Sequence, residues 1–147
     1  MSTDGHLEET SYGGVAIRGE EVLVITPAGR RRITALPKGG ADAGETGEQT
    51  AAREVREETG VNVSIREPLG DVTYWYRRGG RRVFKTVHFY LCDFVSGSTA
   101  DHDHEVDDAR WIPLHEARTA LTYPGERELI ERALSRVLPG RGTRARK

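Results

Sequence analysis

The chain has 147 residues, of which 36% are hydrophobic and 31% charged, a composition typical of a globular domain rather than of a disordered chain. Its 22 basic and 23 acidic residues give a formal net charge of −1. This balance gives no overall reason to expect binding to nucleic acid or to a membrane, so any charged function must come from local clustering.

The sequence also lacks recognisable targeting and membrane segments. No stretch approaches the roughly 20 apolar residues of a membrane-spanning helix, and residues 1–10 lack the basic and apolar parts of a secretory signal. The one cysteine, Cys92, cannot form an intramolecular disulfide, and we expect it to be a buried apolar residue. These features predict a cytoplasmic protein.

The first half of the chain alternates apolar segments with turn signals. Two apolar segments around Gly19 predict a hairpin, and a glycine-rich loop after Pro37 leads into a helix that Gly60 ends. The expected elements are a flexible leader at residues 1–10, strands at 11–18 and 21–26, an extended piece at 33–36, the loop at 38–45 and a helix over about 46–59.

The second half continues with strands and then helices. The expected elements are a strand at 61–65, a hairpin with strands at 72–76 and 82–91 and a basic tip, an acidic loop at 96–108, a strand at 109–113, helices at 114–121 and 125–138, and a basic flexible tail at 139–147. This order predicts a single α/β or α+β domain over residues 11–138 with a mixed sheet.

Three carboxylates stand out in the predicted helix. Glu54, Glu57 and Glu58 have i, i+3 and i+4 spacing, which places them on one helix face. Like charges at that spacing cost about 0.2–0.5 kcal/mol per pair in an isolated helix, and a hard divalent cation such as Mg²⁺ or Mn²⁺ would offset this repulsion. The alternative is a solvated helix face held by salt bridges.

The loop before the helix favours the cation site over the solvated helix face. The glycines of residues 38–45 let the backbone approach a ligand closely, and a loop that feeds a helix N-terminus is a common phosphate site. The loop and the carboxylate helix together therefore point to a site for metal ions and phosphate groups.

The same segment resembles the signature of the Nudix hydrolases, G-x5-E-x7-R-E-U-x-E-E-x-G-U with U aliphatic. This chain has Gly39, then Glu45 after five residues, and then the run from Arg53 to Val61 after seven more. Every fixed position matches. The flanking strands and the segment Trp111–Ala117 are also similar to this family, so the resemblance covers about residues 12–138.

The resemblance implies a Nudix-type α/β/α sandwich with a mixed β-sheet and a pyrophosphohydrolase that cleaves a phosphoanhydride bond of a nucleoside diphosphate-linked substrate. It implies one to three Mg²⁺ or Mn²⁺ ions as cofactor, with Glu45, Arg53 and Gly60 holding the motif in shape. The implied metal ligands are Glu54, Glu57, Glu58 and the carbonyl of Gly39.

The catalytic base is expected among the same carboxylates or in the acidic loop. Within the motif the candidates are Glu57 and Glu58, and Glu105 is the candidate for an auxiliary ligand or base. The alternative for Glu105 is a solvated acidic loop. His102 and His104 suggest zinc, but a spacing of two without a cysteine partner makes a poor zinc site.

The substrate is less constrained than the reaction. The segments 36–40, 85–90 and 121–124 resemble Nudix enzymes that hydrolyse diadenosine polyphosphates, and related diphosphoinositol polyphosphate hydrolases. This resemblance implies a diadenosine polyphosphate as the substrate. Basic side chains, among them the arginines of the hairpin tip, could neutralise the negative charges of a long polyphosphate. A tyrosine ring could stack on the adenine. The predicted substrate contacts are Lys38, Tyr76, Arg78, Lys85 and Tyr123.

Several alternatives remain open. They are a nucleotide-sanitising triphosphate pyrophosphatase acting on 8-oxo-dGTP, a diphosphoinositol polyphosphate hydrolase, an ADP-ribose hydrolase, and a sensor module without turnover. The intact carboxylates disfavour the sensor. We expect a small-molecule nucleotide as the partner, no nucleic acid or membrane, and a monomer or homodimer.

Overall fold

The computed structural model describes residues 5–137. Its strands are β1 (Leu7–Arg18), β2 (Glu21–Pro27), β3 (Lys38–Gly39), β4 (Val61–Arg78), β5 (Arg81–Gly97) and β6 (Val106–Pro113). Its helices are α1 (Gly47–Thr59), α2 (Leu114–Ala120) and α3 (Pro124–Val137).

The strands form one mixed sheet in the order β4-β5-β1-β2-β6, with β3 paired to β1. Strands β1 and β5 are parallel, whereas the other pairs are antiparallel. Because side chains alternate along a strand, β1 sends Val15 and Ile17 to one face of the sheet and Ala16 to the other.

Helices cover both faces of the sheet. Helices α2 and α3 pack Leu114, Leu129 and Ile130 over what we call the α3 face. Helix α1 packs Val55 with Cys92 over the opposite α1 face. This is the α/β/α sandwich that the family resemblance implied, and the prediction that Cys92 is buried is also confirmed.

Most strands differ from the predicted ones. Strand β3 lies inside the predicted loop, at Lys38–Gly39, and strand β5 continues to Gly97 instead of ending at residue 91. Strand β1 begins at Leu7 rather than Ser11, because parallel pairing with β5 starts at Leu7 and Val83. Strand β4 is continuous over the predicted gap at 66–71, where register shifts at Ile65/Glu67 and Pro68/Gly70 let Pro68 lie within the ladder. Strand β6 begins inside the predicted loop, at Val106, opposite Pro27.

The ends of the chain are outside this description. Residues 1–4 and 138–147, which include the predicted basic tail, are not among the described residues. Within residues 5–137 no helix is both long and apolar enough to cross a membrane.

Candidate active site

Helix α1 is fixed at both ends by local capping. Thr46 accepts a hydrogen bond from the Gln49 backbone N–H, and the Gln49 side chain accepts one from the Thr46 backbone N–H. Gly60 ends the helix in the left-handed region, with φ of 82°. Burial of Ala51 and Val55 then sets the rotation of the helix, which directs the three glutamates away from the core.

The loop before α1 meets these glutamates through its backbone. A Cβ atom at residue 39 would stand 2.1 Å from Cδ of Glu54, so only glycine allows this approach. The Lys38 backbone N–H donates to Oε1 of Glu58 at 3.2 Å. The backbone of β3 therefore lies directly against two of the predicted metal ligands.

Arg53 connects the loop to the helix. Its Nε and Nη2 donate to the two carboxylate oxygens of Glu45 at 2.7 and 3.0 Å, and Nη2 also donates to the carbonyl of Gly40 at 2.9 Å. Its Nη1 donates to Glu54 and Glu57, each at 3.0 Å. The Arg53 guanidinium and the Asp42 backbone N–H hold the pKa of Glu45 at about 2, so Glu45 stays ionised as the partner of Arg53.

The carboxylates that face the loop are partly buried and repel one another. Burial raises the pKa of Glu58 to about 8, and the charges of Glu54 and Asp103 add to this effect. Burial also raises the pKa of Glu54, and Glu57 and Glu105 contribute in the same direction. Five acidic side chains thus act on one another in a small region where a cation would relieve the repulsion.

The donor set fits a hard divalent cation. All five side chains offer oxygen atoms, and oxygen-only sites suit Mg²⁺ and Mn²⁺. Among residues 5–137, however, no three His, Cys, Asp or Glu side chains are already arranged around one ion position. In this arrangement Arg53 is hydrogen-bonded to both Glu54 and Glu57.

The acidic loop approaches the end of α1. The Asp103 backbone N–H donates to the carbonyl of Glu57 at 3.2 Å, and Oδ1 of Asp103 accepts from the Glu105 backbone N–H at 3.0 Å. Sequence analysis selected Glu105 but missed Asp103, because a run with so many acidic residues does not indicate which ones turn inward. Nδ1 of His102 lies 2.8 Å from the carbonyl oxygen of Asp103, to which it donates in the tautomer that carries the proton on Nδ1.

The predicted substrate contacts fall into two groups on the α3 face. Lys38 lies beside the carboxylates, where its charge partly opposes the rise in the pKa of Glu58 and of Glu126. Tyr123 is 36% exposed just before α3. The remaining contacts gather around Glu9, which sequence analysis missed.

Glu9 organises this second group. It accepts hydrogen bonds from Tyr76 at 2.6 Å and from Lys85 at 2.9 Å, and it also pairs with Arg78. These three partners, Tyr76 most strongly, lower the pKa of Glu9 to about 2. Because Glu9 is three residues from Tyr12, which pairs with Gly39, the group lies about 10 Å along β1 from the carboxylates.

Two further side chains near this face were also missed. Glu126 is 3% exposed and accepts a hydrogen bond from the Leu36 backbone N–H at 3.0 Å, and burial raises its pKa to about 7. Tyr74 is 39% exposed and lies within electrostatic reach of Lys85 and Tyr123. No local pattern marks Glu126, because its partner is 90 residues away in sequence.

The motif and the fold together place the chain among known proteins. A model of the NUDIX domain matches residues 9–133, and the chain belongs to this family. A putative mutator protein MutT4 of Mycobacterium tuberculosis is 44% identical over 134 residues, which cover 85% of this chain and 54% of that protein. An 8-oxo-(d)GTP phosphatase of Mycolicibacterium smegmatis is 38% identical over 101 residues, which cover 69% of this chain and 30% of that protein.

A solved structure supports the same fold. The Ap4A hydrolase of C. elegans, in a binary complex, superposes with a TM-score of 0.69 and 25% identity, over 89% of this chain and 98% of that one. The chain therefore matches a whole solved Nudix structure, but it spans only about half or less of the two curated relatives above.

Proposed function

We propose that this domain hydrolyses a phosphoanhydride bond of a nucleotide substrate with the help of a divalent cation. The observation that carries the proposal is the crowding of Glu54 and Glu58 against the backbone of Lys38 and Gly39. Ordinary surface carboxylates avoid burial next to like charges, so this arrangement favours a cation site over a solvated helix face.

Glu54, Glu57, Glu58 and the carbonyl of Gly39 would hold one to three ions. Bound Mg²⁺ or Mn²⁺ supplies neutralisation of phosphate charge and acidification of water. Arg53 has a positioning role, because its hydrogen bonds to Glu45 and Gly40 fix the loop relative to the helix.

The proton of the attacking water needs a carboxylate acceptor. Glu58 is mostly buried and already accepts from Lys38, which favours a ligand role. Glu57 is 45% exposed along its side chain, and Glu105 is exposed and acts electrostatically on Glu54. We therefore propose Glu105 as the acceptor, with Glu57 as the alternative.

A nucleoside triphosphate is the substrate class we favour. The relative described as an 8-oxo-(d)GTP phosphatase supports this class. In addition, Arg78 and Lys85 are paired with Glu9, so they are less available to the long polyphosphate of a diadenosine substrate. The likeness to an Ap4A hydrolase keeps diadenosine polyphosphates as the second candidate.

A product assay with Mg²⁺ tests the proposal. The panel contains dGTP, 8-oxo-dGTP, Ap4A, ADP-ribose and a diphosphoinositol polyphosphate, with Glu58→Gln as the inactive variant and Glu131→Gln, exposed on α3, as the matched control. We expect release of pyrophosphate from a triphosphate, with loss of at least about 10²-fold in kcat for Glu58→Gln alone.

The other outcomes are equally informative. Faster cleavage of Ap4A would keep the reaction and replace the substrate class. Turnover that survives in Glu58→Gln, or that EDTA does not stop, would contradict the cation site itself.

A further inference from the structure

Helix α1 leaves a large part of its sheet face uncovered. The helix begins at Gly47, where a Cβ atom would touch the rings of Tyr12 and Tyr90. Beyond these two tyrosines, β1, β5 and β4 continue towards the tip of the β4–β5 hairpin without a covering element among the described residues. We call this surface the open face.

The strand register defines what the open face presents. One row pairs Thr73 with Thr86, the next pairs Trp75 with Phe84, and the last pairs Arg77 with Arg82. These side chains are exposed or half-buried, unlike Val83 and Val87 on the opposite face, which are buried. The open face therefore changes from hydroxyl groups to aromatic rings to guanidinium groups along the hairpin.

The aromatic row is ordered by ring contacts. Trp75 is 49% exposed, and its ring centroid lies 4.9 Å from that of Phe84 and 4.9 Å from that of His6. The guanidinium of Arg82 lies 4.7 Å from the Trp75 ring centroid. Such an exposed and fixed aromatic group is a suitable platform for stacking a planar ring.

The arginines surround a cleft of about 280 Å³ at the tip, lined by Gly5, His6, Arg77, Gly80, Arg81 and Arg82. Arg77 donates to the carbonyl of Gly80 at 3.0 Å, and Arg81 donates to the carbonyl of Gly5 at 2.8 Å. Within residues 5–137 neither of these two arginines forms a salt bridge with a carboxylate. Their charges are thus held in place by neutral backbone groups.

Among residues 5–137 no acidic side chain lines this cleft, although Glu8 contacts the lining residue His6. Glu8 contacts His6 at 3.3 Å, and Asp71 contacts His88 at 2.7 Å near the other end of the face. Arg78, although adjacent to Arg77 in sequence, points to the α3 face and pairs with Glu9. The formal net charge of −1 therefore conceals a local positive cluster on one surface.

We propose that the open face binds single-stranded nucleic acid. Guanidinium groups attract the phosphates, the Trp75–Phe84 row stacks a base, and the uncovered sheet surface accommodates an extended strand of a few nucleotides. The cleft lies about 20 Å from Gly39, because Tyr12, the partner of Gly39, follows His6 by six positions of extended chain. This binding surface is distinct from the carboxylate site and does not require the proposed hydrolysis.

Fluorescence anisotropy with a labelled ten-nucleotide oligo-dT or oligo-U tests the proposal. We expect the double variant Arg77→Ser/Arg81→Ser to bind at least about 10-fold more weakly, with a salt slope reduced by about two. The control is Arg118→Ser, because Arg118 is exposed on α2 and its Nε donates to a carbonyl of the same helix. Circular dichroism of each variant checks that it is folded.

A second measurement separates nucleic acid from other polyanions. The variant Trp111→Phe leaves Trp75 as the only tryptophan, and we expect the oligonucleotide to quench its fluorescence whereas inorganic polyphosphate does not. The proposal is overturned if the oligonucleotide does not bind, or if Arg118→Ser weakens binding as much as the double variant. It is also overturned if polyphosphate competes equally and Trp75 fluorescence does not change.

Discussion

At residue 39 the backbone passes within contact distance of the Glu54 carboxylate. We expect Gly39→Ala to lower kcat by at least about 10²-fold, because its Cβ would displace the Glu54 carboxylate from the ion-binding region. Gly40→Ala is the matched control, since a Cβ there meets nothing within 4 Å. Steady-state kinetics with Mg²⁺ and a thermal melt compare the two, and equal activity in both variants would contradict the role of the close approach.

The buried side chain of Glu126 leads to a prediction about how the stability of the fold depends on pH. Its pKa rises from 4.5 to about 7 in the folded protein, so the folded state retains a proton that the unfolded state has lost. The stabilisation is complete below pH 4.5 and is lost as the pH rises through 7. Relative to Glu126→Gln, the wild type should therefore lose about 3 kcal/mol between these limits.

Chemical denaturation of both proteins from pH 4.5 to 8 measures this difference. Glutamine keeps an oxygen that can accept from the Leu36 backbone N–H, so the comparison isolates the titration. If the two free energies of unfolding run parallel across this pH range, Glu126 does not titrate as the structure indicates.

At the scale of elements, Arg53 determines how the loop before α1 sits on the helix. Lysine keeps the charge but cannot form the two-point contact with Glu45 while it also donates to the carbonyl of Gly40. We expect Arg53→Lys to weaken Mg²⁺ binding by about 10–100-fold and to speed hydrogen exchange over residues 40–46. Arg56→Lys, exposed on the same helix, should change neither, and normal exchange in Arg53→Lys would rule out the positioning role.

Local elements could be predicted from sequence, whereas long-range contacts could not. The bounds of α1 follow from Thr46 and Gly60, which cap the helix through neighbouring residues. In contrast, β1 begins at Leu7 because of its pairing with β5, about 76 residues later. The same separation hides Glu9, whose contact with Lys85 depends on that parallel register.

The same contrast applies to the candidate site. The spacing of Glu54, Glu57 and Glu58 already placed them on one side of a helix, since this depends only on helical geometry. The substrate contacts depend on which strand lies next to which. For this reason the sequence does not indicate that Tyr76 lies beside Glu9, at a different position on the sheet from Lys38.

At the scale of the whole molecule, the net charge is near zero, but carboxylates cluster at α1 and arginines cluster at the hairpin tip. If the cluster binds Mg²⁺ only in the folded state, the ion must stabilise the fold. At an ion concentration of 100 times Kd this amounts to about 2.7 kcal/mol, which raises Tm by several degrees. The double variant Glu54→Gln/Glu58→Gln should show no such rise.

Thermal melts at matched ionic strength measure this effect. The reference contains KCl in place of MgCl₂, because screening by any salt also reduces the repulsion between carboxylates. Glu131→Gln, far from the cluster on the exposed side of α3, should respond to Mg²⁺ like the wild type. An equal rise with KCl, or an undiminished rise in the double variant, would mean that Mg²⁺ acts elsewhere or only by screening. Because no substrate is present, the melt tests the ion site independently of turnover.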